Sequence, residues 1–168
     1  MIQRRVEDLT GSFDPYLAIR RNTNEFALSL LPAFREQMRK APCPMTLALR
    51  LAAAGNIIDL GAKRNLTLEE AQEAVESAVS SPLAGASEQE AVSRLRTAKK
   101  VLLIADNAGE IAVDRLLCEL LPHRPTVAVR ARPVINDATV DDAAQVGIDA
   151  FAEIITTGSD LPGAWLAS

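Results

Sequence analysis

The protein has 168 residues, a formal net charge of −4 and a hydrophobic fraction of 48%, which together are typical of a soluble globular protein. Its basic residues are scattered, and no apolar run reaches the roughly 20 residues of a membrane span, so we expect neither a nucleic-acid partner nor a membrane span. The single histidine argues against a histidine-rich zinc site, and the distant Cys43 and Cys118 indicate free thiols in a cytoplasmic protein.

Residues 1–98 are predicted to form a helical N-terminal part. The first helix is predicted to open at Asp14-Pro15, because an acid at the cap and a proline in the first turn favour helix initiation. A break is predicted at Ala41-Pro42-Cys43-Pro44. Two of the later helices begin with the Ser/Thr-x-x-Glu pattern of a capping box. These later helices are predicted over residues 45–60, 67–79 and 87–98.

Residues 99–168 are predicted to form an α/β part. Strands are predicted over residues 101–105, 126–130 and 151–156, and helices over 110–121 and 138–146. This alternation implies a parallel sheet with right-handed crossovers. Because three strands make a small parallel sheet, we expect the sheet to be incomplete. Its truncated edge favours self-association into a homo-oligomer.

Polar residues follow the first of these strands at once. Asp106 and Asn107 come directly after a buried apolar run, and Glu110 opens the next helix. Asn107 and Glu110 also fit a capping box, which leaves the acid at position 106 unexplained. An acid and an amide oxygen side by side suit a hard divalent cation such as Mg²⁺ or Mn²⁺.

A second polar cluster, Asn136-Asp137-Ala138-Thr139, follows the second strand. Thr139 and Asp142 fit a capping box, and again one acid, Asp137, is left over. Ligands bind at the carboxyl ends of strands in open α/β sheets, so we expect both clusters on one rim. Two carboxylates brought together repel each other unless a divalent ion lies between them. The sequence therefore predicts a metal site, and a metal site indicates chemistry on an oxyanion.

Three further features each allow a structural and a functional interpretation. Asn56 and Asp59 share one face of an apolar helix that also contains Gly55. This segment either makes a helix–helix contact with an internal hydrogen bond, or it lines the floor of the site. The loop over residues 158–163 is either a plain turn or a phosphate-binding loop of backbone N–H groups. Arg130 and Arg132 are solvated by default, and the alternative is that one of them meets an anion.

Five sequence blocks together resemble one protein family. They are DPYLAIRRNTNEFALSLLP, LRLAAAGNIIDLGA, LLIADNAGEIAVDRLL, RPVINDATVDDAAQVGI and ITTGSDLPG. Their order and spacing resemble the metal-dependent damage-control phosphatases, formerly a domain of unknown function, and most of all the stand-alone prokaryotic branch. The resemblance implies a Rossmann-like three-layer α/β/α domain behind a helical N-terminal part. It also implies hydrolysis of small phosphomonoesters, including sugar phosphates, phosphopantetheine-like metabolites and damaged phosphometabolites.

The same resemblance implies a divalent cation, Mn²⁺, Co²⁺, Ni²⁺ or Mg²⁺, held by Asp106, Asn107 and Asp137. Asp106 and Asn107 are also expected to act in catalysis. Contacts with the phosphorylated metabolite are expected from seven positions in and around the motifs. These positions are Asn56, Asp59, Gly109, Glu110, Asn136, Gly158 and Asp160.

Prokaryotic members of this family usually begin earlier, with a CxxC, and continue past the DLPG loop to a Lys-Gly block whose lysine is expected to meet phosphate. We therefore expect the chain to correspond to a central segment of a family member. This leaves a second interpretation, a catalytically weak or inactive module that binds metal or phosphate. A nucleotide-binding unit is a third, and the lack of a GxGxxG after the first strand argues against it.

Overall fold

The computed structural model describes residues 5, 9, 11–55, 57, 67–80, 82–83 and 87–158. A short 3-10 turn is formed by Ile148–Ala150. The predicted α/β class is confirmed, because helices come first and strands and helices then alternate. The elements are α1 (Leu17–Lys40), α2 (Pro44–Ala53), α3 (Leu68–Ser80), α4 (Glu88–Thr97), β1 (Leu102–Ile104), α5 (Glu110–Leu120), β2 (Thr126–Val129), α6 (Val140–Val146) and β3 (Glu153–Thr156).

The start of α1 differs from the prediction. Tyr16 is its N-cap residue and the helix begins at Leu17, so Asp14 does not cap it. The Asp14 carboxylate instead accepts two hydrogen bonds from the Arg20 guanidinium, at 2.9 and 2.7 Å. The predicted break is confirmed, since α1 ends at Lys40 and Pro44 lies in the first turn of α2. An ion pair with a residue one turn inside α1 thus takes the place of the predicted cap.

The predicted caps of the next helices are confirmed. The Glu70 N–H donates to Thr67 Oγ1 at 3.2 Å, and the Thr67 N–H donates to the Glu70 carboxylate at 2.8 Å. Ser87 Oγ accepts from the Glu90 N–H at 3.3 Å at the start of α4. The helix α2 ends at Ala53, and most of its predicted continuation to residue 60 lies outside the described residues.

The sheet has the strand order β1-β2-β3, and both neighbouring pairs are parallel. Its core face carries Leu103, Val127, Val129 and Ile154, which pack with the buried residues of the helices. Because the strands are parallel, their carboxyl ends share one rim. The residues that follow β1 and β2 are therefore neighbours in space, as predicted.

The other face of the sheet is apolar and exposed. Leu102, Ile104 and Ile155 are 60%, 64% and 41% exposed on it. Both crossovers run in the same direction across the sheet, so their right-handed sense places α5 and α6 together on the core face. Covering this second face would take a further layer, which the described residues do not supply. Self-association through the sheet stays a prediction.

One buried cluster joins the helical part to the sheet. It includes Phe34 of α1, Leu51 of α2, Ile111 of α5 and Val127 of β2, all fully buried. The helix α5 lies at its centre and contacts α1, α2 and α6. Residues from both sides of residue 98 share this core. The boundary between two parts of the chain that was predicted there stays a prediction. None of the described helices is both long and apolar enough to cross a membrane.

Candidate functional site

The turns that follow β1 and β2 pair directly with each other. Asn107 and Asp137 lie opposite one another in an isolated antiparallel bridge. Beside it, the Ala138 N–H donates to the Asp106 carbonyl oxygen at 2.7 Å. The structure therefore brings the backbones of the three predicted metal ligands together at the rim of the sheet.

The side chains of the first turn have different surroundings. Asp106 is exposed, and its carboxylate makes no hydrogen bond within the described part of the chain. The Asn136 Nδ2 donates to Asn107 Oδ1 at 2.9 Å, and the Asn107 Nδ2 donates to Glu110 Oε2 at 3.4 Å. Asn136 and Glu110 thus orient the Asn107 amide between them.

The predicted capping box of Asn107 with Glu110 is wrong. The N-cap residue of α5 is Gly109, which has a positive φ of 82° and makes no side-chain cap. The cap position is thus held by a residue without a side chain, and the Asn107 amide bonds to Asn136 and Glu110 instead. By contrast, the box predicted for Thr139 and Asp142 caps α6 as expected.

Asp137 is held by an arginine. The Arg130 Nε donates to Asp137 Oδ2 at 2.6 Å, and the two side chains are only 13% and 16% exposed. The default expectation of a solvated Arg130 is therefore wrong. Arg132 lies over the ring of Phe13, with 5.3 Å between the guanidinium carbon and the ring centre. A carboxylate fixed through one oxygen presents its second oxygen in a defined direction, which suits a ligand.

Two glycines permit close packing beneath this rim. A Cβ at Gly55 would lie 2.6 Å from Glu110 Cγ, and one at Gly109 would lie 2.6 Å from Thr23 Cγ2. The backbone at Gly55, just after α2, and the side of α1 therefore pack closely against the start of α5. At Gly55 this matches the helix–helix contact that the sequence allowed.

The other predicted substrate residues are only partly described. Gly109 and Glu110 lie beside the Asp106–Asn107 turn, and Asn136 contacts it. Gly158 follows β3 with a positive φ of 68°, and among the described residues nothing beyond its chain neighbours would contact a Cβ there. The remaining three lie outside the described residues: Asn56, Asp59 and Asp160.

We expect Gly109→Ala to lower the free energy of unfolding by about 1–3 kcal/mol, because the new Cβ combines an unfavourable φ with a clash. Gly158→Ala is the matched control, since Gly158 has a similar φ of 68° but no described residue beyond its chain neighbours lies within 4 Å of the position that its new methyl group would take. Urea denaturation of both variants measures the difference. Equal losses would show that the contact with Thr23 contributes nothing.

A buried polar network, missed by the sequence analysis, ties α1 to both turns. Arg20, Asn24 and Asp142 are 1%, 0% and 2% exposed. Asn24 Oδ1 accepts from the Gly109 N–H at 2.7 Å, and Asn24 Nδ2 donates to Asp142 Oδ1 at 2.9 Å. Asp142 Oδ2 accepts from Arg20 Nε at 2.9 Å and from Thr139 Oγ1 at 2.6 Å.

Arg20 also reaches the loop that precedes Asp137. Its Nη1 donates to the carbonyl oxygen of Ile135 at 3.4 Å, and Ile135 has a positive φ of 49° that is uncommon for a β-branched residue. Burial alone would lower the pKa of Arg20, but the hydrogen bond to Asp14 and the charge of Asp142 outweigh it and raise the pKa. Arg20 therefore stays charged inside the fold.

The spacing of α1 contained the signal for this network. Its buried residues include Arg20, Asn24, Ala27, Leu31 and Phe34, which are separated by alternating steps of four and three. The two polar residues therefore continue the apolar stripe towards the start of the helix. Polar side chains in such a stripe are buried and need partners.

The helix α5 carries a second buried acid that the sequence analysis missed. Asp114 is 6% exposed, one turn after Glu110. Burial first, and then the charge of Glu110, raise the pKa of Asp114 to about 8. One turn further on, burial and the charges of Asp114 and Glu119 raise the pKa of Cys118 to about 12. Both groups are therefore mainly protonated at neutral pH.

The donor set at the rim fits a hard divalent cation. It offers two carboxylates and an amide oxygen, and Arg130 neutralises only one of the two acidic charges. Within the described ranges, no group of three or more His, Cys, Asp or Glu side chains is arranged to hold a metal ion. A cation at the rim would therefore need the amide oxygen of Asn107 and oxygens from water or phosphate as further ligands.

The family model of the damage-control phosphatase ARMT1-like domain matches residues 1–168. This chain belongs to that family. The family resemblance drawn from the five sequence blocks is confirmed.

Several archaeal relatives of this ARMT1-like chain are similar over most of its length. It is 34% identical to an uncharacterised protein of Methanocaldococcus jannaschii, over 97% of this chain and 55% of that protein. It is 33% identical to a damage-control phosphatase of Archaeoglobus fulgidus, over 96% of this chain and 57% of that protein. The chain thus spans about half the length of these relatives.

The fold of this ARMT1-like chain is also similar to a solved structure. The crystal structure of a DUF89 family protein from Pyrococcus horikoshii superposes with a TM-score of 0.79 and 26% sequence identity. The match covers 95% of this chain and 56% of that one. The α/β arrangement of helices and parallel strands therefore belongs to a known architecture.

Proposed function

We propose that this chain carries the metal centre of a divalent-metal-dependent phosphatase that hydrolyses small phosphomonoesters. The substrates we favour are sugar phosphates, phosphopantetheine-like metabolites and damaged phosphometabolites. The observation that carries the proposal is the direct pairing of the two turns that bear Asp106, Asn107 and Asp137. Membership of the damage-control phosphatase family supports it.

The proposed chemistry assigns each side chain a task. A divalent cation such as Mn²⁺, Co²⁺, Ni²⁺ or Mg²⁺, when bound, offsets the charge of the phosphoryl oxygens and orients the attack. Asp106, Asn107 and Asp137 would hold it, and the exposed Asp106 would also position or deprotonate the attacking water. Arg130 orients the Asp137 carboxylate, and Glu110 orients the Asn107 amide.

Electrostatic help is the main need of this reaction, because uncatalysed phosphomonoester hydrolysis is among the slowest known. Gly109, Glu110 and Asn136 lie next to the proposed ligands and are the described candidates for substrate contact. The proposed contacts from Gly158 and from the residues outside the described ranges are predictions from the sequence.

The small number of charged ligands at the rim favours a second candidate function. Within the described ranges, no group of three or more His, Cys, Asp or Glu side chains could hold a metal ion. The second candidate is a module that binds a divalent cation or phosphate with little or no turnover.

A phosphatase assay on the 168-residue chain tests the proposal. We expect hydrolysis of p-nitrophenyl phosphate and sugar phosphates that depends on added Mn²⁺ or Co²⁺. Asp106→Asn removes one ligand charge at similar size, so its rate should fall to the metal-free background. Asp149→Asn is the control, because Asp149 is an exposed acid away from the rim and its loss should leave the rate unchanged.

Mn²⁺ binding, followed by the loss of the free-ion electron paramagnetic resonance signal, separates the two candidates. Binding that Asp106→Asn weakens, without any turnover in the parent chain, would favour the binding module. Turnover that survives Asp106→Asn would contradict the assignment of the metal centre. Equal Mn²⁺ binding by the parent chain and the variant would contradict it as well.

A further inference from the structure

We propose that Asn24 is a positioning residue that couples the two metal-bearing turns and fixes their spacing before any cation binds. The effect of Asn24 on metal binding and catalysis rests on the proposed function, whereas its coupling of the two turns does not. Asn24 lies on α1, far from both turns in sequence, and is fully buried. It touches no proposed ligand atom, so its action on the site is indirect.

Each end of the Asn24 amide holds one of the two turns. Its Oδ1 accepts from the N–H of Gly109, the residue where the chain turns into α5, at 2.7 Å. Its Nδ2 donates to Asp142 Oδ1 at 2.9 Å and to Gln145 Oε1 at 2.8 Å. Asp142 Oδ2 in turn accepts hydrogen bonds from the N–H and the hydroxyl of Thr139, which lies at the end of the second turn. One amide therefore spans from the first turn to the second.

The pairing that this amide supports is made of two backbone hydrogen bonds. The Ala108 N–H donates to the Asn136 carbonyl at 2.9 Å, and the Ala138 N–H donates to the Asp106 carbonyl at 2.7 Å. Neither bond belongs to the regular ladder of the sheet. Residues in such short bridges are held by whatever fixes their flanks, which here are Gly109 and Thr139.

Asparagine is suited to this position because it accepts at one end and donates at the other. Leucine has a similar size and can do neither. Aspartate keeps an oxygen for the Gly109 N–H but places a second carboxylate against Asp142, where it cannot donate. Asn24→Leu and Asn24→Asp should therefore both uncouple the turns.

Amide hydrogen exchange tests the coupling in the metal-free protein. In Asn24→Leu we expect the Ala108 and Ala138 amides to exchange at least about tenfold faster relative to the Thr126 amide than they do in the parent chain. The Thr126 N–H donates to the Val101 carbonyl at 2.9 Å at the opposite end of the sheet, so it serves as a reference amide away from both turns. The control is Phe34→Leu, on the same helix but in the apolar core, which should change all three amides alike.

Mn²⁺ affinity tests the functional consequence. We expect the dissociation constant to rise at least about tenfold in both Asn24 variants and less than about twofold in Phe34→Leu, at a temperature where all the proteins are folded. Unchanged relative exchange of the Ala108 and Ala138 amides would overturn the coupling. Faster exchange with unchanged Mn²⁺ affinity would overturn the positioning role.

Failure of the proposed function gives a different result. If the parent chain binds no Mn²⁺ at all, the metal centre is wrong. The exchange comparison still decides whether Asn24 couples the turns, because it needs neither a cation nor turnover.

Discussion

Arg20→Met is expected to cost about 3–5 kcal/mol of unfolding free energy, because it leaves the Asp142 carboxylate buried without its cation. The Arg20 Nε lies 2.9 Å from Asp142 Oδ2, and the two side chains are 1% and 3% exposed. The same change removes the hydrogen bonds to Asp14. Urea denaturation followed by circular dichroism measures the loss.

Arg35→Met is the matched control for that measurement. Arg35 also forms an ion pair from α1, but it is 38% exposed, and its partner Glu119 keeps a second arginine, Arg115, at 2.8 Å. We expect this control to cost less than about 1 kcal/mol. The double variant Arg20→Met, Asp142→Asn should recover part of the stability by removing the uncompensated charge. A loss no larger than that of the control would contradict the importance of the buried pair.

Asp114 is expected to make stability fall as the pH rises. Burial and the charge of Glu110 raise its pKa in the folded protein to about 8 from the ordinary value of 3.8. Between these two values the folded chain keeps a proton that the unfolded chain has lost. The free energy of unfolding should therefore fall with increasing pH across this window, with a slope approaching about 1.4 kcal/mol per pH unit.

Asp114→Asn isolates this contribution. The amide has nearly the same size as the protonated acid and no charge to lose, so the variant should lack this slope and should be more stable than the parent chain at pH 8. Stability is measured by urea denaturation at intervals from pH 4 to pH 9, with Asp149→Asn as an exposed control. Parallel pH profiles for the parent chain and the Asp114 variant would contradict the raised pKa.

The order of helices and strands was predictable, because local patterns decide it. Apolar patterns located the described α-helices and strands but not the 3-10 turn Ile148–Ala150. The Thr67 and Thr139 caps act within a single helical turn. Boundaries were less accurate where a side chain found another partner. Asp14 was predicted to cap α1 and instead binds Arg20, whose guanidinium also binds Asp142.

The approach of the two candidate turns was also predictable from topology. Two successive parallel strands place their carboxyl ends on one rim, so the residues after β1 and β2 had to be neighbours. The partners within that rim were not predictable. Asn107 was given a capping role that Gly109 takes, and Arg130 was expected in solvent but binds Asp137.

The sequence by itself determined the α/β alternation, the parallel sheet and the family, because each depends on residue patterns that repeat over short distances. Only the tertiary structure decided how the rim is held. Asn24 bonds to Gly109 across 85 residues, and Arg20 bonds to Asp142 across 122. Local periodicity carries no information about which distant side chain fills a buried polar position, since that choice depends on the packing of α1 against α5 and α6.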